Sequence, residues 1–213
     1  MLRPIITSRP AATIAILKIN IFVFMSWVMS AFINPYFMIN NFLVSWTGIV
    51  EGRFWTLLTS VFSHNMFFHI FLNMYVFFGF GAVLEQALGT RRFLRFYLAA
   101  GVVASLSHVT VSAFLIGDPS LAALGASGAI SGVILLFSLM FPQERVLLLG
   151  IIPIPALFAS FAIVALDVWG LVEQTLGGKL PIGHGAHLGG ALYGLVYYLI
   201  AVRRDGSGFR FQT

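Results

Sequence analysis

The sequence predicts an all-α polytopic membrane protein, six transmembrane helices with a long interfacial loop after the first. Three observations predict it. The chain of 213 residues is 59% hydrophobic and only 9% charged, with a mean hydropathy of +0.96, whereas soluble domains carry roughly 25% charged residues. Its apolar residues fall into six runs close to the ~20 residues that a bilayer span requires. Its Lys and Arg gather on one side of those runs.

The first run extends from Thr13 to Phe32. The stretch before it, with Arg3 and Arg9, is signal-like in charge, but the apolar run is long and reads as an uncleaved span. The second run is Met66 to Leu88 and the third Phe93 to Leu115. The fourth, Leu121 to Phe141, stops at Pro142; the fifth, Val146 to Trp169, carries Pro153 and Pro155, which should kink it. The sixth is His184 to Val202. The loop from Ile33 to Asn65 holds Phe37, Phe42, Trp46, Phe54 and Trp55, too apolar for a solvated linker and suited to lying on the outer leaflet. No internal repeat is visible, so residues 1–213 read as one membrane domain, with a core of about 13–203 and polar tails 1–12 and 204–213.

Sidedness follows from charge. With six spans, Arg3, Arg9, Lys18, Arg91, Arg92, Arg95, Arg145, Arg203, Arg204 and Arg210 share one side, against Arg53 and Lys179 on the other. This split places both termini in the cytoplasm, in what is expected to be a bacterial inner membrane. The basic residues sit beside spans, so the formal charge of +5 marks topology and no nucleic-acid partner is expected. The chain has no Cys, which excludes disulfides, thiol catalysis and thiolate metal sites.

Polar groups inside spans are costly and need a partner or a purpose. The second, fourth and sixth runs cross in the same direction; Asn73 lies seven residues past Met66, Ser127 seven past Ser120 and His187 six past Pro181. At a helical rise of ~1.5 Å per residue, that is one layer roughly 10 Å deep. His69 lies one turn before Asn73 on the same face. A serine hydroxyl needs a base to take its proton, and neutral imidazole is the usual one. An Asn amide, a His ring N–H and a backbone N–H are donors suited to an oxyanion. Gly128 with Gly132, and Gly190 with Gly194, are small-xxx-small pairs that let helices approach closely, though ordinary membrane packing explains them equally well.

These residues carry a family resemblance. Gly125-Ala126-Ser127-Gly128 resembles the Gly-x-Ser-Gly motif of rhomboid intramembrane serine proteases, and Ala186-His187-Leu188-Gly189-Gly190 their last-helix segment. His64, His69 and Asn73 match the family's His-x4-His-x3-Asn pattern, and Gly52-Arg53-Phe54-Trp55 resembles its first-loop motif. The resemblance implies a rhomboid-like bundle that hydrolyses peptide bonds in or near the spans of membrane-protein substrates. It makes Ser127 the nucleophile and His187 the base of a dyad, assigns the oxyanion hole to His69, Asn73 and the Ser127 amide, and gives His64 a supporting role. It implies no cofactor or metal. Some members stack an aromatic, one turn after the nucleophile, on the catalytic imidazole; here that position is Ser131, so the His187 ring must be held by something else.

The remaining polar residues read as structural. Asp167, near the outer end of the fifth run, is a candidate third catalytic member, but a capping or interfacial role is expected. His184 is expected to face water, His108 to be a core histidine, and Glu85 to pair with Arg91 or Arg92. Two other classes compete with the protease reading. A transporter should show broken helices in related halves, which are not seen. A metal or haem binder would draw on the histidines, but zinc chemistry should bring His-Glu-x-x-His or a carboxylate among the ligands.

Overall fold

A computed structural model describes residues 9–148, 151–178 and 180–203. Its long helices are α1 (Ala11–Ile33), α5 (Phe67–Leu88), α6 (Thr90–Val111), α8 (Ala156–Thr175) and α9 (His184–Tyr197). α6 and α9 each end in a wider π turn, Ser112–Ile116 and Tyr198–Val202. With these extensions, five helices among the described residues are long and apolar enough to cross a bilayer. The sixth apolar helix, α7 (Ser127–Met140), has 14 residues, about 21 Å at the standard rise. Short helices α2 (Tyr36–Phe42), α3 (Trp46–Val50) and α4 (Thr56–Thr59) make up about half of the first loop.

α7 sits among the others. It packs against α5, α6, α8 and above all α9. Its residues Val133 and Leu136 are fully buried, joined in the core by Phe77 of α5 and Phe93 and Tyr97 of α6. Large apolar side chains on the peripheral helices point outward, including Phe22, Phe68, Phe114 and Phe158. That inversion suits a hydrocarbon solvent, where backbone polar groups must be satisfied inside each helix and apolar side chains can face out.

Two expectations about run four and run five are corrected. Residues 121–126 are not helical, so the fourth run is a helix only from Ser127. Gly125 has φ +123°, incompatible with a right-handed helix, and the segment's amides bond elsewhere. Ala123 exchanges two hydrogen bonds with Val44 (2.9 and 2.8 Å), and the Gly125 N–H donates to the Ser60 carbonyl (2.9 Å). The far end stops as expected, since Phe141 precedes Pro142 and has left the helical region at φ −128°, ψ 59°. In the fifth run, Pro153 and Pro155 kink no helix. They lie in an antiparallel hairpin of β1 (Arg145–Leu148) and β2 (Ile152–Pro155), and α8 starts only after Pro155. A proline lacks the N–H that a helix interior uses, so the helix begins where the prolines end.

The first loop is a built structure. Arg53 Nη1 donates to Asn40 Oδ1 (2.7 Å) and Nη2 to Glu51 Oε2 (2.5 Å), while Trp55 Nε1 donates to Asn41 Oδ1 (3.0 Å). These bonds tie α2 to the turn before α4, and Phe37, Phe54 and Trp55 remain exposed, as an interfacial segment requires. α1 is anchored twice. Trp27 Nε1 donates to Ser63 Oγ (2.7 Å). At its other end the Glu85 carboxylate accepts from the Ala12 N–H (2.9 Å) and from the Thr13 N–H and Oγ1 (2.8 Å each), and also from Thr90 Oγ1 (2.8 Å). Glu85 thus caps the first turn of α1, whose leading amides have no partner within their own helix.

α7 and α9 touch backbone to backbone. A Cβ added to Gly132 would lie 2.7 Å from the Gly190 carbonyl oxygen, one on Gly194 would lie 2.6 Å from that of Gly132, and one on Gly190 would overlap that of Gly128. Gly190→Val should therefore force the helices apart, costing at least the ~1–3 kcal/mol typical of overpacking. The thermal unfolding midpoint in detergent should fall for this variant and hold for Gly79→Ala, where a Cβ meets open space.

Candidate active site

Ser127 is the first residue of α7, delivered by the extended segment 121–126 and its bonds to the first loop. Its N–H and those of Gly128 and Ala129 precede the first intrahelical bond, Ile130 N–H to the Ala126 carbonyl (2.9 Å). They lie at the positive end of the helix dipole, an arrangement suited to negative charge. His187 stands one turn into α9. Close approach of the glycine faces brings its Nε2 to 2.9 Å from Ser127 Oγ. Both residues are half-buried, which keeps them reachable.

Ser127 and His187 therefore meet as the motif spacing implied, although the depth count did not describe the way they do. Residues 121–126 are extended and travel farther per residue than a helix, and α9 begins only at His184. Helix rise applies to Asn73 alone of the three.

His69 also belongs to the cluster. Its Nε2 lies 3.0 Å, and Ser127 Oγ 3.8 Å, from the point where a Cβ on Gly125 would sit. Any other residue at 125 would press on the His69 ring and strain a backbone at φ +123°. Asn73 is buried on the same face of α5 and turns its amide back to the His69 carbonyl (2.8 Å). One N–H of that amide stays available. His64 is fully buried, its ring edge-on to His69 with centroids 4.9 Å apart, and its Nε2 accepts from the Ala126 N–H (3.4 Å). That hydrogen bond joins the first loop to the residue before Ser127.

Two residues read from the sequence as peripheral stand at this cluster. Asp167 of α8 is neither a cap nor interfacial; it is buried, with Oδ1 2.8 Å from His187 Nδ1 and 2.8 Å from His184 Nδ1. His184 is buried too, facing Asp167 rather than water. The signals were present. A carboxylate in an apolar run requires a partner, and His184 and His187, three apart, share one helix face. The donor atoms of Asp167, His184 and His187 all lie within 4.8 Å of one another, and the two hydrogen bonds already use them. His108 behaves as expected of a core histidine, its Nε2 3.0 Å from the Leu121 carbonyl oxygen.

Comparison with known proteins places this geometry. A family model described as "Rhomboid domain" matches residues 51–204. The chain belongs to the rhomboid family. It is similar to RHOMBOID-like protein 12, mitochondrial, of Arabidopsis thaliana, 33% identical over 177 residues, which are 78% of this chain and 52% of that protein. It is 39% identical over 144 residues to the presenilin-associated rhomboid-like protein, mitochondrial, of Mus musculus, covering 66% of this chain and 36% of the relative. With rhomboid protein 1, mitochondrial, of Saccharomyces cerevisiae it shares 32% over 189 residues, 86% of this chain and 51% of the relative. The rhomboid thus spans about half, or less, of the length of these relatives.

These names overturn the placement in a bacterial inner membrane, since all three relatives are named mitochondrial. The physical reason for the error is plain. Charge asymmetry reports the side of a membrane and carries no information on which membrane it is.

His64 yields a pH prediction. Burial first, and the neighbouring His69 second, push its pKa down from 6.5 to about 3. The unfolded chain takes up a proton below its ordinary value while the folded chain does not, so stability present above pH ~6.5 is lost as pH falls towards 3. The slope from one such group is at most about 1.4 kcal/mol per pH unit. Thermal denaturation in detergent across that window should show a shallower acid loss for His64→Gln than for the unaltered chain.

Proposed function

We propose that this rhomboid is an intramembrane serine protease that cleaves membrane-protein substrates in or near their spans. The observation that carries the reading is the 2.9 Å approach of Ser127 Oγ to His187 Nε2 at the foot of a helix. As Oγ attacks the scissile carbonyl carbon, its proton passes to His187 Nε2, and the same proton later goes to the leaving amine. Negative charge develops on the carbonyl oxygen beside the free amides of the first turn of α7. In this reading His69 and the remaining Asn73 N–H add donors, Gly125 makes room for His69, and Gly128 lets α9 approach. The names of the relatives support a mitochondrial membrane as the site of action.

The test uses purified protein in detergent or vesicles with a single-span substrate bearing a small residue and a Gly-rich break near one end. Ser127→Ala and His187→Ala should each abolish cleavage, and the double variant should be no slower than either, because the pair acts as a unit. A fluorophosphonate probe should label the wild type and spare Ser127→Ala. Cleavage by Ser127→Ala near the wild-type rate overturns the assignment.

The donors make a separate prediction. Asn73→Ala and His69→Ala should lower kcat by roughly 10²-fold or more, the usual cost of losing an oxyanion donor, with little change in KM. A loss carried by KM instead would assign them to substrate binding.

A further inference from the structure

We propose that Asp167 and His184 are positioning residues for His187, so that the site works as a chain Ser127–His187–Asp167–His184 instead of the dyad that the family resemblance implies. The inference rests on the serine-protease reading of Ser127 and His187 and adds what holds the base.

The hydrogen-bond pattern fixes the tautomer. For His187 to take the Ser127 proton, Nε2 must carry a lone pair, and the ring proton must then reside on Nδ1. Asp167 Oδ1 lies 2.8 Å from that Nδ1 and accepts the proton. The opposite tautomer would put two lone pairs, on Nδ1 and on Oδ1, face to face. His184 Nδ1, 2.8 Å from the same Oδ1, supplies a second N–H. One carboxylate oxygen taking two N–H donors is anchored from both sides, and its charge faces the ring that becomes imidazolium when Ser127 is deprotonated. No proton reaches Asp167 in this sequence; it moves from Ser127 Oγ to His187 Nε2 and on to the leaving amine.

His184 is placed for this role, and among the described residues its side chain makes no other hydrogen bond. Its Nε2 is buried without a hydrogen-bond partner, which a lone pair tolerates better than an N–H would. That is the state expected when its proton sits on Nδ1, towards Asp167. The ring lies against Gly170, where a Cβ would overlap Cε1 and Nε2. Asp167 and Gly170 are three apart on α8, so one face of that helix presents both the carboxylate and the notch for His184. Ser131, one turn after the nucleophile, is engaged elsewhere, its Oγ donating to the Ser127 carbonyl (3.0 Å). The hydrogen bonds of His187 beyond Ser127 therefore run to α8.

Among the described residues, the other titratable groups facing the site are His69 of α5, beside Gly125, His64 of the first loop, edge-on to His69, and His108 of α6, whose Nδ1 lies 4.0 Å from the Cβ position of Gly183. None of the three bears a fixed charge. Asp167 is thus the carboxylate whose removal acts directly on the His187 imidazolium.

Three measurements test the chain of bonds. Asp167→Asn should lower kcat about 100-fold or more with KM nearly unchanged; the corresponding change in a soluble triad costs on the order of 10⁴-fold. The acidic limb of its pH–rate profile should move to lower pH, because the imidazolium has lost its counter-charge, whereas a purely structural defect would leave the limb in place. His184→Leu should lower kcat by a smaller factor. Should the variants fail to fold, ¹⁵N NMR of histidine-labelled wild-type protein decides: both His184 and His187 should be neutral with the proton on Nδ1. His187 protonated on Nε2, or Asp167→Asn with full kcat and an unmoved acidic limb, overturns this inference alone, provided Ser127→Ala is inactive. Cleavage by Ser127→Ala would instead remove the reading beneath it.

Discussion

The contact between the carbonyl faces of α7 and α9 is the constraint on which the site depends. Lipid gives no hydrophobic drive for one helix to seek another, so association rests on close packing and on hydrogen bonds. Gly128 and Gly132 on one helix, with Gly190 and Gly194 on the other, leave no side chain between the backbones. Only at that separation does a side chain as short as serine reach an imidazole on the next helix. The interaction that joins the helices is therefore also the one that sets the 2.9 Å distance. Steric bulk at a glycine far from Ser127 acts on chemistry through this separation.

A second layer of control is polar and comes from the loops. Ser127 begins a helix because Gly125 turns the chain and because Val44, Ser60 and His64 satisfy the backbone before it. The first loop contributes no group to the Ser127–His187 pair, yet it holds the segment that delivers Ser127. Its own rigidity comes from Arg53 and Trp55 bonding to Asn40 and Asn41. An extended segment has no intrahelical partners for its amides, so such bonds must come from the elements beside it.

Much of this was legible in the residues themselves. Run lengths located α1, α5, α6 and α9 to within about three residues, because hydrophobic thickness sets length and little else competes. The glycine pairs offered a close helix contact without deciding between it and ordinary packing, and the spacing of His69 and Asn73 put those two on one face of α5. What escaped notice was non-helical backbone inside apolar runs. Leu121 to Ala126, Val146 to Leu148 and Ile152 to Pro155 are as apolar as a helix interior, and only Gly125 and the two prolines betrayed them. Asp167 and His184 were misplaced for a related reason. Sequence shows that a buried acid needs a partner, but which helix brings that partner depends on how α8 is rotated against α9.

The family match begins at residue 51, after α1 has ended. Yet three hydrogen bonds to the buried Glu85 carboxylate come from Ala12 and Thr13, beside one from Thr90. Each hydrogen bond to a charged group contributes about 1.5–3 kcal/mol. The matched region taken by itself would lack the Ala12 and Thr13 donors that this buried carboxylate uses. The boundary drawn by sequence kinship thus cuts through an electrostatic unit, and α1 is better regarded as the counterpart that makes an ionised Glu85 tolerable.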